Sequence, residues 1–214
     1  MSDAKRKKPK GEPRWPAIAA VVAAGALNLT LPAWVTAGPR GLLLAIVTLL
    51  ALPVQVAHMT GRPKLNHALS FVSVSILTVG LLCSLSYLLA GMSTHKLQPT
   101  ELLLCAGALW LSNVMVFSLW YWRLDAGGPN RRDAREGHSD GAFLFPQMTL
   151  ESRRDGWSPG FVDYLFLAFN TSTALSPTDA PVLDRWAKLL MMTQSLISLT
   201  IVALLVARAI NTLA

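Results

Sequence analysis

Charge is what this chain has least of. Asp, Glu, Lys and Arg make up 14% of its 214 residues, against roughly 25% in an ordinary soluble domain, so too little polar side chain exists to cover a water-soluble globule. Cysteine is equally sparse. Cys83 and Cys105 both fall inside apolar runs, where a thiol behaves as a small hydrophobe, and a disulfide scaffold is excluded. The four histidines, His58, His67, His95 and His138, stand apart from one another with no partner at metal-ligand spacing, and no glycine-rich phosphate loop or nucleophile motif occurs. No metal, no cofactor and no enzyme activity is expected.

What the chain does have is apolar sequence, 52% of the total, gathered into runs of about 20 residues. That is the length a helix needs to cross a hydrocarbon core of about 30 Å at about 1.5 Å per residue. An all-α integral membrane protein is therefore expected. Residues 1–14 carry Lys5, Arg6, Lys7, Lys8, Lys10 and Arg14 against Asp3 and Glu12 and form a basic arm, suited to anionic lipid rather than to nucleic acid. Residues 15–122 divide into four spans at 17–35, 41–59, 67–90 and 101–122. Their breaks are Gly38-Pro39-Arg40, the stretch from Thr60 to Asn66, and the polar segment 91–100. Pro53 lies inside the second span, and the third is rich in small residues that let helices approach closely. Trp120, Tyr121 and Trp122 close the fourth as an interfacial girdle. Residues 123–160 read as a charged surface loop. The last apolar helix covers 185–213.

Orientation follows from the basic residues. Fourteen Lys and Arg lie on the side of the N-terminal arm, the second loop and the long loop, against Arg40 and Lys96 on the other, which places the N-terminus in the cytoplasm.

The segment FVDYLFLAFNTSTALSPTD, residues 161–179, differs from the others. It is apolar for little more than half a bilayer and then delivers Asn170, Thr171, Ser172 and Thr173, followed by Ser176, Pro177, Thr178 and Asp179. A re-entrant half-helix would carry these groups at its tip, where unpaired carbonyls have partial negative charge. Five spanning helices plus one re-entrant half-helix are thus expected, with six spans as the alternative. In the final helix Gln194, Ser195, Ser198 and Thr200 form a polar stripe, suited to bonding neighbouring helices or to lining a pathway.

The order of a short aromatic helix with Thr171 and Thr173 near its end, a turn, Asp179, the Arg185-Trp186 entry and a long apolar helix resembles the pore module of potassium-channel-type proteins over residues 163–208. The filter glycines of that family are replaced here by Ser176 and Thr178 around Pro177, so the filter is degenerate, because glycine supplies the backbone freedom such a filter needs. The charge pattern also has the segment enter from the cytoplasmic side, whereas the family's loop enters from outside. The resemblance implies a pore-loop-like site at Asn170, Thr171, Ser172, Thr173, Ser176, Thr178 and Asp179. The run FNTSTALSPTD with the following RWAKLLMM and QSLISL is also similar to a stretch of bacterial multi-pass membrane proteins of unassigned activity, which implies an inner-membrane location. Two functions remain open: channel-like ion permeation, in a homo-oligomer, and a structural or accessory role in the bilayer without transport.

Overall fold

The computed structural model describes residues 11–92, 98–135, 138, 141–150, 157–173 and 180–213, with side chains as far as 208. Among these residues the secondary structure is helical apart from one antiparallel bridge, Phe143 with Val182. Four helices are long and apolar enough to cross a membrane, over Leu42–Met59, Pro63–Gly91, Pro99–Arg132 and Arg185–Arg208, and a shorter apolar helix covers Trp15–Thr30.

Helix α1, Trp15–Leu27, has proline in its first turn and passes into the 3-10 turn Asn28–Thr30. The first span was expected to stay helical to residue 35; it stops at Thr30, and Leu31 is already extended, because Pro32 has no N–H to continue the ladder and restricts the residue before it. Helix α2, Leu42–Met59, starts behind Gly41, whose φ of 85° favours glycine, and keeps Pro53 in its interior. Helix α3, Pro63–Gly91, begins four residues before the expected span because Pro63 at its first turn sacrifices no hydrogen bond. Helix α4, Pro99–Leu124, opens with Pro99 and with Glu101 accepting from the Gln98 N–H at 3.2 Å. It ends where Ala126, Gly127 and Gly128 all take positive φ. Short helices α5, Pro129–Arg132, and α6, Pro146–Thr149, precede α7, Phe161–Thr173, and α8, Arg185–Leu213.

Helix α4 is the axis of the molecule and touches α1, α3, α7 and α8. Its partners show how the chain is strung. Glu12 and Arg14, ahead of α1, meet Trp122 and Asn130 at the C-terminal end of α4. Beyond α1, Trp34 lies so close to Gly91, the last residue of α3, that a Cβ there would overlap its ring. Helix α1 with its 3-10 turn therefore runs the height of the bundle. Bulky neighbours sit against glycines where helices cross: a Cβ on Gly25 would lie 2.9 Å from Val47 Cγ2, and one on Gly80 would lie 2.9 Å from Leu43 Cδ2. Outward faces are apolar, as Leu49, Leu52 and Val56 of α2 and Leu189, Met192, Leu196 and Leu199 of α8 show.

The long loop differs from the surface segment expected of it. Arg131, Asp133 and Arg135 are exposed, but Asp125, Arg132, His138, Phe143 and Phe145 are buried. The polar members of this set find partners on α4, α7 and the N-terminal arm, and the two phenylalanines pack on Tyr164 of α7, so that part of the loop caps the bundle end.

Candidate functional site

Helix α7 is short, about 20 Å at about 1.5 Å per residue, and has two faces. Val162, Phe166 and Phe169 point outward, whereas Tyr164, Leu167, Ala168, Thr171 and Ser172 are buried. Its direction is set by contacts along its length. Near its start, Tyr164 donates to Asp125 Oδ2 just beyond α4 (2.5 Å), and near its end the Ser172 carbonyl accepts from Trp110 Nε1 inside α4 (3.4 Å). Helix α7 thus runs antiparallel to α4.

Helix α8 does the same. Gln194 Oε1 accepts from Tyr121 OH (2.5 Å), and Ser198 Oγ, one turn later, accepts from Asn113 Nδ2 at 3.0 Å. Consequently α7 and α8 run parallel, side by side, and start at the same end of the bundle. The chain leaving α7 at Thr173 is back at that end by Pro181, whose carbonyl accepts from Leu144 N, and Leu183, whose N–H donates to Ala142 O.

The polar tip is knitted to α8. Gln194 is wholly buried. Its Nε2 donates to Ala168 O and to Ser172 Oγ, both at 2.7 Å, while its backbone carbonyl accepts from Asn113 Nδ2 at 3.1 Å. Ser195 Oγ donates to Thr171 O at 3.3 Å. Thr171 and Thr173 turn their hydroxyls onto their own helix, to Leu167 O at 2.8 Å and Asn170 O at 2.9 Å. Of the stripe on the last helix, Gln194, Ser195 and Ser198 bond neighbouring helices, whereas Thr200 donates to Leu196 O of its own turn.

Asn170 faces elsewhere. With Asp163, Phe166 and Leu167 it lines a cleft of about 250 Å³ bounded by Phe145, Pro146, Gln147 and Ala180. Asp163 stands at the cleft's other end, its Oδ2 accepting from Gly160 N at 2.7 Å. Burial pushes its carboxyl above the usual carboxylate range, opposed in part by that N–H. Ser176, Thr178 and Asp179 lie outside the described residues.

A second polar cluster has no counterpart in the sequence expectations. Asp125 Oδ1 accepts from Ala142 N at 2.5 Å, and His138 Nε2 lies 3.3 Å from Asp125 Oδ2. Burial holds the Tyr164 phenol well above its usual range, so it meets Asp125 as a neutral donor. Arg132 donates through Nη1 to Trp122 O (2.8 Å) and Asp125 O (3.0 Å) and through Nη2 to Glu12 Oε2 (3.3 Å), with its guanidinium 5.0 Å from the Tyr164 ring centroid. The sequence offers nothing toward it beyond an acid, Asp125, three residues past Trp122. Its partners are 17, 39 and, for the Arg132–Glu12 pair, 120 residues apart, distances at which no local pattern reaches.

Compared with protein-family profiles, with curated proteins and with solved structures, the chain matches none.

Proposed function

We propose that this chain is a multi-pass membrane protein with five spanning helices, α1 to α4 and α8, and that residues 161–184 form a re-entrant hairpin through which ions permeate in a homo-oligomer. One observation carries this: α7 and α8 are parallel neighbours that start at one end, so the chain turns back between them instead of crossing. A half-helix, a returning segment and a long apolar helix are the parts of a pore-loop module, which the resemblance of residues 163–208 also implies. The lipid-facing Val162, Phe166 and Phe169 suit insertion of α7 into hydrocarbon. A bacterial inner membrane, with the N-terminus cytoplasmic and its basic arm on anionic lipid, is the location the charge pattern favours.

The structural or accessory alternative has its own observation. Gln194 consumes the polar groups of Ser172 and Ala168 in packing, so the tip also serves as a knot between helices. Ion flux through purified protein in liposomes separates the two. Permeation predicts a measurable flux that Thr173→Val, nearly isosteric, alters while the protein stays folded. Absence of flux for any monovalent ion, with the wild-type protein folded and oligomeric, would leave the structural role.

A further inference from the structure

Arg123 closes α4 in an unusual setting. The residue is 7% exposed, its guanidinium carbon lies 5.0 Å from the Trp122 ring centroid, and among the described residues it has no hydrogen bond or ion pair with a carboxylate. The acids at this end are occupied: Glu12 by Arg14 and Arg132, Asp133 by Arg14, and Asp125 by Tyr164 and Ala142. A nearly buried cation without an anion is costly, and an anion arriving from outside the chain would relieve that cost.

Two clefts meet at Arg123. One, about 630 Å³, opens at the bundle end and is lined also by Lys64, His67 and Arg131, with no carboxylate in its wall among the described residues. The other is a narrow cleft of about 60 Å³ between α1, α2, α3 and α4, and its wall includes Ala17, Val21, Val54 and Leu119. Ser70 lines this second cleft, and its Oγ is buried without a hydrogen-bond partner. A basic compartment thus adjoins an apolar one, with Arg123 shared between them.

We propose that this pair of clefts binds one anionic phospholipid, its phosphate on Arg123 with Lys64 and Arg131 around the headgroup, and the first methylenes of one acyl chain at the mouth of the apolar cleft between α1 and α4. A free phosphate would use only the basic compartment. A zwitterionic lipid would bring an ammonium group to a wall in which the described residues hold no acid. Of the basic arm, Arg14 alone among the described residues reaches the site, in the wall of the inter-helix cleft; the site is separate from the α7 tip, so it does not depend on ion permeation.

The test uses the full chain purified in detergent, with dioleoyl phosphatidylglycerol, dioleoyl phosphatidylcholine and inorganic phosphate as probes. Native mass spectrometry reads retained lipid and thermal unfolding reads stabilisation. Phosphatidylglycerol should be retained as a single copy and raise Tm; phosphatidylcholine and phosphate should do neither. Arg123→Gln should weaken phosphatidylglycerol by about tenfold or more, as expected for losing a charged hydrogen bond. Should that variant not fold, Lys64→Gln with Arg131→Gln decides, since both residues are exposed and their loss should lower affinity with Tm of the lipid-free protein unchanged. Arg40→Gln, an exposed residue in the turn between α1 and α2, should bind as wild type. Equal stabilisation by phosphatidylcholine, undiminished binding in both variants, or a Tm gain reproduced by phosphate alone would overturn the proposal, the last in favour of a soluble-anion site.

Discussion

Asp125 shows how much one residue can organise at the end of a helix bundle. Each carboxylate oxygen accepts one bond of 2.5 Å, from the Ala142 N–H and the Tyr164 hydroxyl. One side chain thereby ties the long loop and α7 to the end of α4. Its removal leaves two buried donors unmatched, each costing about 1–3 kcal/mol. Asp125→Ala should therefore lower the thermal unfolding temperature clearly. Tyr164→Phe, which removes a donor and leaves Asp125 its bond to Ala142, should lower it less. Equal, negligible shifts in both variants would mean that the loop is held by its aromatic contacts instead, Phe143 and Phe145 against Tyr164.

Elements are joined here in two different ways. Helices α1 and α2 meet through absent side chain: a Cβ at Gly25 would stand 3.1 Å from the Leu44 Cα, a backbone atom that cannot step aside. Close approach of this kind replaces the hydrophobic driving force that lipid removes. Gly25→Val should push the pair apart at a cost of about 1–3 kcal/mol, read as a lower unfolding temperature, whereas Gly107→Ala, in a position with open space around it, should be neutral. Helices α7 and α8 meet instead through Gln194 and its ring of partners. The polar stripe on the last helix was legible in the sequence, because four polar residues in an apolar helix need a reason. Its choice of partners was not. Gln194 selects Ala168, Ser172 and Tyr121 only once α4, α7 and α8 are brought together.

At the scale of the molecule, the N-terminal residues, the turn between α2 and α3, and the segment after α4 share one end: Arg14 donates to Asn130 at 3.2 Å, and Asn130 donates to Asn66 at 3.2 Å. These are the segments that the distribution of Lys and Arg groups on one side of a membrane. In the proposed topology α7 turns back and five crossings separate the two termini, which predicts that a topology reporter fused after Ala214 lies on the side opposite Met1. A reporter on the same side would require α7 to cross and would retire the hairpin.

Hydrophobic run length and proline and glycine punctuation were sufficient to read an all-helical chain with helices long and apolar enough to cross a membrane, the positions of those helices and the oddity of residues 161–179. Each of these is a local property, carried by a stretch of chain whatever it packs against. The end of the helical stretch at Thr30 is nearly as local, set by Pro32, although apolar composition continues beyond it. The parallel course of α7 and α8, the burial of Asp125, Arg132 and His138 in a loop whose charge suggests solvent, and the separation of Arg123 from the acids among the described residues came from tertiary structure alone. A charged residue in sequence carries no mark of whether its counter-ion stands across a helix or 120 residues away; that is settled only when packing brings the two into reach and removes the water between them.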